Sequence, residues 1–583
     1  MTQRPPLEVC NIEIAAMLEE IANLLAFDDA NPFRVRAYRR AARTVRRSVR
    51  EMAELVEQGR DLKDLPTIGE DISALIDEAV RTGRMRSLDS LRQTAPAIAY
   101  DLLEIEGIGP KKARALWETL GVGNLEQLHR AVIDHRVRSV PGFGEASERR
   151  LAEALARVHH PTRSRLPLGQ AEPIVSDLIE WLKAAPGLAK VQVAGSYRRG
   201  RETVGDLDIV VAAPDHRAVI EHLLLWPHVQ RKVQAGDERA TVILTEEIQV
   251  DLRVVDVASF GAALLYFTGS KDHSIQLRSI AKRQDLKLNE YGLWRGSRRL
   301  AGKDETSIYR ALGLRYIPPE LRENRGEIEL ARAGKLPTLV ESEDILGDLH
   351  LVIDSEKDLT SLVQAAVHLG WRYIGIGPQV SNDAPCDLAA LLKAIASAAK
   401  IHSDLTIYSM VEVDILKDGH LDLTADALEA DIIIGSVQNG FRLTRAQQTA
   451  RLVRALEHPA LSILSHPTGR RATQRAPYDV DLKTVAQTAA SCGVALELSA
   501  DPDRLDLSDR HCKVAVEAGA LVSISTEAQH SAQLSRMAIG VRQARRGWLE
   551  SKTVLNTLPK QDVERFLSRH RAVSVALGNS FRA

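Results

Sequence analysis

Between positions 193 and 211 the chain reads VAGSYRRGRETVGDLDIVV, and this stretch restricts the fold more than any other. A short strand runs into a Gly-Ser turn, a basic stretch with a helical start follows, and a second strand opens with two aspartates one residue apart. Side chains alternate across a strand, so Asp206 and Asp208 lie on one face and can bind cations together, while Leu207 and Ile209 face a core. Gly195 and Ser196 leave backbone amides and a hydroxyl for a phosphate, with Arg198 and Arg199 close behind to neutralise its charge. A third carboxylate stands in IQVDLRVVD, where Ile248, Val250, Leu252 and Val254 form one face and Gln249, Asp251 and Arg253 the other. Asp256 falls on the face opposite Asp251. An Asp-x-Asp pair alone is usually a solvated turn. Three carboxylates on neighbouring strands beside a phosphate-binding turn suit two-metal phosphoryl transfer, with hard cations about 3.5–4 Å apart.

These residues resemble the palm of the family X DNA polymerases, a group of nucleotidyltransferases. The likeness continues in YFTGSKDHSIQLR at 266–278 and in NEYGLW at 289–294. It implies that Asp206 and Asp208 hold two magnesium or manganese ions and that Asp251 holds the catalytic one and helps activate a primer 3′ hydroxyl. It further implies that Gly195, Ser196, Arg199, Gly205 and Gly269 surround the incoming nucleotide. Tyr266 and Phe267 resemble the pair beside the nucleotide sugar, and Arg278 a minor-groove contact. Ser274 stands where family members carry an asparagine facing the base; a serine can still donate a hydrogen bond.

The formal net charge is only −1, so the argument for nucleic acid rests on where the charge lies. Arg34, Arg36, Arg39, Arg40, Arg43, Arg46, Arg47 and Arg50 occur with no acid between them. They belong to a predicted helix from about 32 to 49 whose inward residues are Val35, Ala41, Ala42, Val45 and Val49. A preceding helix over 11–26 offers Ile14, Met17, Leu18, Ile21 and Leu25 as its apolar face. In isolation the arginines read as a solvated face; beside a polymerase-like palm, Arg39, Arg43 and Arg47 read as phosphate contacts. Three short hairpin signals follow, LPTIGEDI, IEGIGPKKA and VPGFGEASE, and each resembles a helix-hairpin-helix element whose backbone amides approach DNA phosphates without reading sequence. The second, with Gly107, Gly109, Lys111 and Lys112, carries the strongest signal; Glu70, Asp71 and Glu145 weaken the others. Many family members place a Schiff-base lysine, used to remove a 5′-deoxyribose phosphate, in the helix after the first hairpin. Leu75 stands there instead and Asp71 where another basic residue often lies, which argues against lyase activity, with Lys63 the nearby amine.

Beyond a charged, Pro-punctuated stretch at 317–345, short apolar strands alternate with helices, which predicts a parallel barrel or doubly wound sheet with chemistry at the carboxyl ends of its strands. GDLH, VEVDILKDGHLDL, SVQNGF, SHPTGR, LELSADPDRLDL and ISTEAQHS resemble the polymerase and histidinol phosphatase (PHP) domain that follows the polymerase in bacterial members. Its metal motifs, as the family writes them, are depleted: Val352 stands two residues after His350, where the second histidine belongs, Pro378-Gln379 fills the Asp-His position, Gln438 fills the histidine position before Gly-Phe, and the final Asp-x-His reads Glu527-Ala-Gln529. His350, Glu412 and His466 survive, with Glu527 as a fourth residual ligand.

The expected architecture is therefore multidomain, α+β and α/β. It comprises an 8-kDa-like helical DNA-binding domain (1–88), a helix-hairpin-helix subdomain (89–160), a nucleotidyltransferase palm (161–258), a helical nucleotide-selection subdomain (259–317), a linker (318–344) and a distorted (β/α) barrel of PHP type (345–583). The expected activity is template-directed filling of short gaps in DNA repair, on gapped or primer-template DNA with deoxynucleoside triphosphates. The barrel is expected to be nuclease-deficient and its metals absent or weak. An active PHP 3′–5′ exonuclease and a non-catalytic gap- or end-binding scaffold are the alternatives. Cys10, Cys386, Cys492 and Cys512 lack metal-type spacing and fit a reduced compartment. With no apolar run long enough for a membrane and no signal-peptide core, a cytoplasmic location is expected.

Overall fold

The computed structural model describes residues 11–48, 52–152 apart from positions 95, 97, 100, 101, 103–107, 124, 146 and 150, and then 165–380, 387–471 and 475–582. The chain forms two compact bodies, 1–164 and 165–583.

The first body is helical. Helix Asn11–Phe27 buries Ile14, Leu18, Ile21 and Leu25, with Met17 half-buried beside them. Helix Pro32–Arg47 starts where Asn31 Oδ1 accepts from Phe33 N at 2.9 Å and Pro32 supplies a preset φ. Its inward face is Val35, Tyr38, Ala41, Ala42 and Val45; Val49 lies outside the described residues. Helices Glu70–Thr82 and Pro110–Leu120 each begin directly after a glycine, Gly69 and Gly109, and each ends at a glycine in the left-handed region, Gly83 and Gly121.

The second body holds two sheets of different logic. The palm sheet has five strands in the order Lys190–Val193, Asp206–Ala212, Gln249–Val255, Arg239–Leu244, Val229–Ala235. Only its central pairing, Asp206–Ala212 with Gln249–Val255, is parallel. Leu207, Ile209, Val250, Leu252 and Val254 are buried on one face, as their spacing requires. Leu505 and Ile539, from far along the chain, complete that same core. Helices Phe260–Thr268, Lys271–Arg283 and Glu305–Ala311 follow, together with a three-stranded antiparallel sheet over Lys287–Asn289, Gly292–Arg295 and Arg298–Ala301.

The stretch at 317–345, read from charge and proline as a linker, is packed instead. Ile317, Leu321, Ile328, Ala331 and Leu339 share a core with helices Phe260–Thr268 and Lys271–Arg283. Arg322 and Glu327 are fully buried, Arg322 against Glu305 at 2.6 Å and Glu327 against His273 at 2.7 Å. Composition misleads here because Arg322 and Glu327 are internal and partnered.

Seven parallel strands, from Gly347–Val352 to Val522–Ser525, follow one another in sequence order around a nearly closed barrel. Tyr408, Met410, Ile432, Ile434, Ile463 and Ala495 form an apolar interior layer, floored by Val563, Phe566 and Leu567 of the last helix, Lys560–Arg582. The first and last strands meet through side chains and one backbone bond just beyond the last strand. Thr526 N and Oγ1 donate to Asp348 Oδ2 at 2.9 and 2.6 Å, and Val352 N donates to Ala528 O. Asn556 spans the seam: its Nδ2 donates to Gly347 O and Ile524 O at 2.9 and 2.8 Å, and its Oδ1 accepts from Ile524 N at 2.7 Å. Asn556→Ala leaves three buried backbone groups unpaired and is expected to cost about 2–4 kcal/mol. Thermal unfolding followed by near-ultraviolet dichroism tests this, and an unchanged melting temperature would show that the seam is held elsewhere.

Candidate active site

The palm register puts Asp208 directly beside Asp251 and Asp206 beside Gln249. Asp206 and Asp208 open their strand on the half-exposed side of the sheet. They line a cavity of about 580 Å³ with Gly195, Ser196, Arg199, Tyr266, Phe267, Gly269, Ser274 and Arg278. Three further cations that the sequence pattern did not single out, Arg165, Arg201 and Lys271, stand on this wall. Lys271 was the most legible of these, as the first residue of the helix that Ser270 caps by accepting from His273 N. Asp251 stands behind the cavity wall, where it accepts from Thr241 Oγ1 at 2.6 Å and from Gln249 Nε2. Gly205 packs beside Arg165.

Gly195 is required twice over. Its φ is +61°, and a Cβ there would collide with Asp208 Oδ2. The turn therefore brings its backbone against the aspartate pair. Among the described residues, buried Ser196 Oγ has no hydrogen-bond partner, and a ligand oxygen could satisfy it. Burial, and then the charges of Asp206 and Asp251, push Asp208 up to about 7. A crowded set of acids of this kind fits cations. Among the described residues no three His, Cys, Asp or Glu side chains are already arranged around one cation position. In the palm, Asp251 is drawn towards Thr241 and Gln249, although each carboxylate oxygen keeps a second lone pair.

The two arginines of the turn part company. Arg198 turns inward, giving Glu305 a bidentate pair at 2.9 and 2.7 Å and Thr268 Oγ1 a bond at 2.8 Å. Burial opposes ionisation of Glu305, yet Arg322 and Arg198 hold it down at about 2. Arg198 thus ties the palm to the next subdomain, and it is Arg199 that reaches the cavity. There Arg199 also donates to Glu323 Oε1 at 3.1 Å and to Thr268 O. Tyr266 is part-exposed and meets Phe267 edge-on at 5.1 Å. Arg278 Nε donates to Ser274 O at 3.3 Å.

In the first body, Arg43 is exposed, whereas Arg39 bonds Asn23 Oδ1 at 3.3 Å and Arg46 pairs with Glu19 at 2.8 Å. Gly107 and the side chain of Arg47 lie outside the described residues. Lys111 is exposed, and Lys112 Nζ lies 5.2 Å from the centre of the Phe143 ring. Leu75 packs against the helical core, and Lys63 pairs with Asp61 at 3.4 Å.

A second polar cluster sits inside the barrel at the carboxyl ends of its strands. His350 Nδ1 is 2.6 Å from Glu497 Oε1 and its Nε2 is 3.4 Å from Glu412 Oε2. His466 Nε2 is 3.8 Å from Glu412 Oε1. Glu527 accepts from Ser499 Oγ and pairs with Arg504 at 3.3 Å. The four residual ligands are thus brought together, with two members the sequence argument missed, Glu497 and Arg504. Alternation in LELSA was the available sign for Glu497, which shares the inner face with Ser499. Burial and then Arg504 pull His466 down to about 4, while burial and Glu497 push Glu527 up to about 7. Against the pull of burial, Glu497 and Glu412 raise His350 well above its ordinary range.

A mixed sheet with paired aspartates beside a Gly-Ser turn, walled by basic side chains, defines a nucleotidyltransferase. Residues 263–323 match the DNA polymerase beta thumb, residues 10–85 a helix-hairpin-helix domain and residues 99–157 a SAM-like helix-hairpin-helix tandem. The DNA polymerase/3'-5' exonuclease PolX of Bacillus subtilis (strain 168) is 35% identical over 572 residues, spanning 96% of this chain and 99% of that protein. DNA polymerase lambda of Rattus norvegicus is 25% identical over 291 residues, 44% of this chain and 48% of that protein. DNA polymerase lambda of Arabidopsis thaliana is 25% identical over 306 residues, 46% of this chain and 54% of that protein. The chain belongs to the family X DNA polymerases. Among the described residues no helix is long and apolar enough to cross a membrane.

The raised Asp208 gives a measurable signature. The folded state keeps this proton up to about pH 7, whereas the unfolded chain releases it near 3.8. At this group folding therefore takes up a proton between those values, and the contribution of Asp208 to the stability of metal-free protein falls as pH rises through that window, by a few kcal/mol at most on the scale of about 1.4 kcal/mol per pKa unit. In chelator at pH 8, Asp208→Asn is expected to melt above wild type, with the advantage shrinking towards pH 4. Added magnesium should raise wild type more than the variant. A variant that melts lower at pH 8 and higher at pH 4 would reverse this reading.

Proposed function

We propose that this polymerase fills short gaps during DNA repair, and that Asp206, Asp208, Asp251, Ser196 and Arg199 carry the nucleotidyl transfer. What carries the reading is the convergence of Asp206, Asp208, Ser196 and Arg199 on one basic cavity of about 580 Å³. Two divalent cations held by the three carboxylates, magnesium or manganese, would supply Lewis-acid neutralisation of the transferring phosphoryl group. Ser196 Oγ and the Arg199 guanidinium bind triphosphate oxygens, and Lys271 adds charge on the same wall. Asp251 helps activate the primer 3′ hydroxyl. Tyr266 and Phe267 flank the sugar, Ser274 faces the base and Arg278 reaches the minor groove. Rate then comes from positioning and charge compensation rather than covalent chemistry. In the first body, Arg39, Arg43, Arg47 and the hairpin with Gly107, Gly109, Lys111 and Lys112 grip phosphates of gapped or primer-template DNA without reading sequence.

Each of Asp206→Asn and Asp251→Asn is expected to lower single-nucleotide incorporation on a gapped duplex by about a thousandfold or more, the scale of several kcal/mol of lost charge stabilisation. DNA affinity, read by anisotropy, should stay within about threefold, a change of under 1 kcal/mol. Near wild-type extension by either variant would sink the assignment.

The barrel we read as lacking nuclease activity. Val352, Pro378, Gln379, Gln438 and Gln529 cannot supply imidazole or carboxylate ligands, and Arg504 already faces Glu527 at 3.3 Å. With His350 between Glu412 and Glu497 and Arg504 against Glu527, the surviving cluster carries at most one net negative charge, little to compensate a divalent ion. The protein is expected to show no manganese-stimulated 3′–5′ degradation of single-stranded or gapped DNA. Degradation lost in His466→Ala but kept in Asp206→Asn would establish the alternative, an active exonuclease like that in the name of the Bacillus relative.

A further inference from the structure

The turn 195–201 has one side towards the cavity and the other towards helix Met537–Arg546 of the barrel domain, more than three hundred residues later. Gly200, with φ +65°, lies so close that a Cβ would sit 3.4 Å from Arg546 Cδ and 3.6 Å from Arg542 Cβ. Arg546 is almost fully buried. Its Nη1 donates to Arg199 O at 2.7 Å and to Glu323 Oε1 at 3.1 Å, and its Nη2 donates to Asp509 Oδ2 at 2.7 Å. Arg542 donates to Tyr197 O and stacks over the Tyr197 ring at 4.6 Å. Gln543 reaches Glu202 at 2.8 Å, and Arg470 pairs with Glu202 at the same distance. The carbonyls that leave the turn are thus satisfied by guanidinium groups of another domain.

Glu323 gives this bracing a chemical purpose. The same oxygen, Oε1, takes Arg199 Nε at 3.1 Å and Arg546 Nη1 at 3.1 Å. It is mostly buried; burial opposes its ionisation, and Arg199, Arg546 and Arg201 together hold its pKa below the ordinary value. A carboxylate with one buried guanidinium partner would grip it tightly, and releasing that partner to a ligand would leave the carboxylate uncompensated. A second guanidinium on the same oxygen lowers that cost. We propose that Arg546 is a positioning residue of the polymerase site, supplied by the barrel domain. It anchors the backbone of Arg199 and shares Glu323, so that the Arg199 side chain can turn to the triphosphate. The proposal rests on the reading of Ser196 and Arg199 as triphosphate ligands, and it makes the barrel domain part of nucleotide binding whether or not the barrel has chemistry of its own.

Steady-state incorporation with full-length protein separates this from a merely structural role. Arg546→Ala is expected to raise KM for the deoxynucleoside triphosphate by about tenfold or more, the value of one or two charge-assisted bonds, with a smaller effect on kcat and none on DNA affinity. The inhibition constant of pyrophosphate should rise in parallel. Adding Glu323→Gln to Arg546→Ala removes the grip on Arg199, which only Arg201 at 3.9 Å would still share, and should recover most of the KM increase, even where the melting temperature is not recovered. Arg546→Lys, which keeps the charge but not the three-way fork, should fall between. Arg545→Ala is the control: it sits one residue away and bonds Glu320 and Val340 O rather than the turn, so it should cost stability without moving KM. If Ser196→Ala raises KM and Arg546→Ala does not, the inference is overturned and the triphosphate reading stands. If neither moves KM, both fall.

Discussion

The register between strands Asp206–Ala212 and Gln249–Val255 governs the polymerase half of the molecule. Alternation has a period of two, so a one-residue slip of either strand would turn its carboxylates into the apolar core and expose Leu207, Ile209 or Val250. The paired rows of buried residues on the opposite face prevent that slip. Hydrophobic burial therefore fixes the position of three acids that would otherwise repel one another. The elevated proton affinity of Asp208 is the residue of that conflict. Gly195 adds a second constraint, because only a residue without a side chain lets the turn lie against the pair.

Around this centre the molecule uses buried ion pairs as fasteners between segments distant in sequence. Glu305 joins Arg198 of the palm to Arg322 of the strap at 317–345, and Asp509 joins Arg325 to Arg546 at 2.9 and 2.7 Å. Isolated buried pairs stabilise little once desolvation is counted, and breaking one side costs far more than the pair contributes. Their value here is specificity: each carboxylate has at least two guanidinium partners, so only one arrangement of the strap, turn and barrel helix leaves no charge exposed to apolar surroundings. The interior of the barrel also pairs its charges, with His350 between Glu412 and Glu497 and Arg504 against Glu527.

Features set by local periodicity were legible in the sequence. The palm strands, the arginine-rich helix, the glycine hairpins and the alternating strands of the barrel all declared themselves through spacing and turn residues. What could not be read was partnership across distance. Arg198 and Arg199 are equivalent in sequence, yet Glu305, over a hundred residues on, claims the first and leaves the second at the cavity. The strap at 317–345 looked like a solvated connection because nothing local reveals that Arg322 and Glu327 are partnered and buried. Arg504, Arg542 and Arg546 were invisible for the same reason.

Leu505 and Ile539 belong to the core of the palm, whose first strand begins at Lys190. During synthesis, at roughly 5–20 residues each second, the palm strands emerge long before these two side chains exist. The part of the apolar face that will receive them waits uncovered until the chain has been made past Ile539. Contacts of such sequence separation are entropically late. A chain cut short before Leu505 would leave those two places in the palm core unfilled.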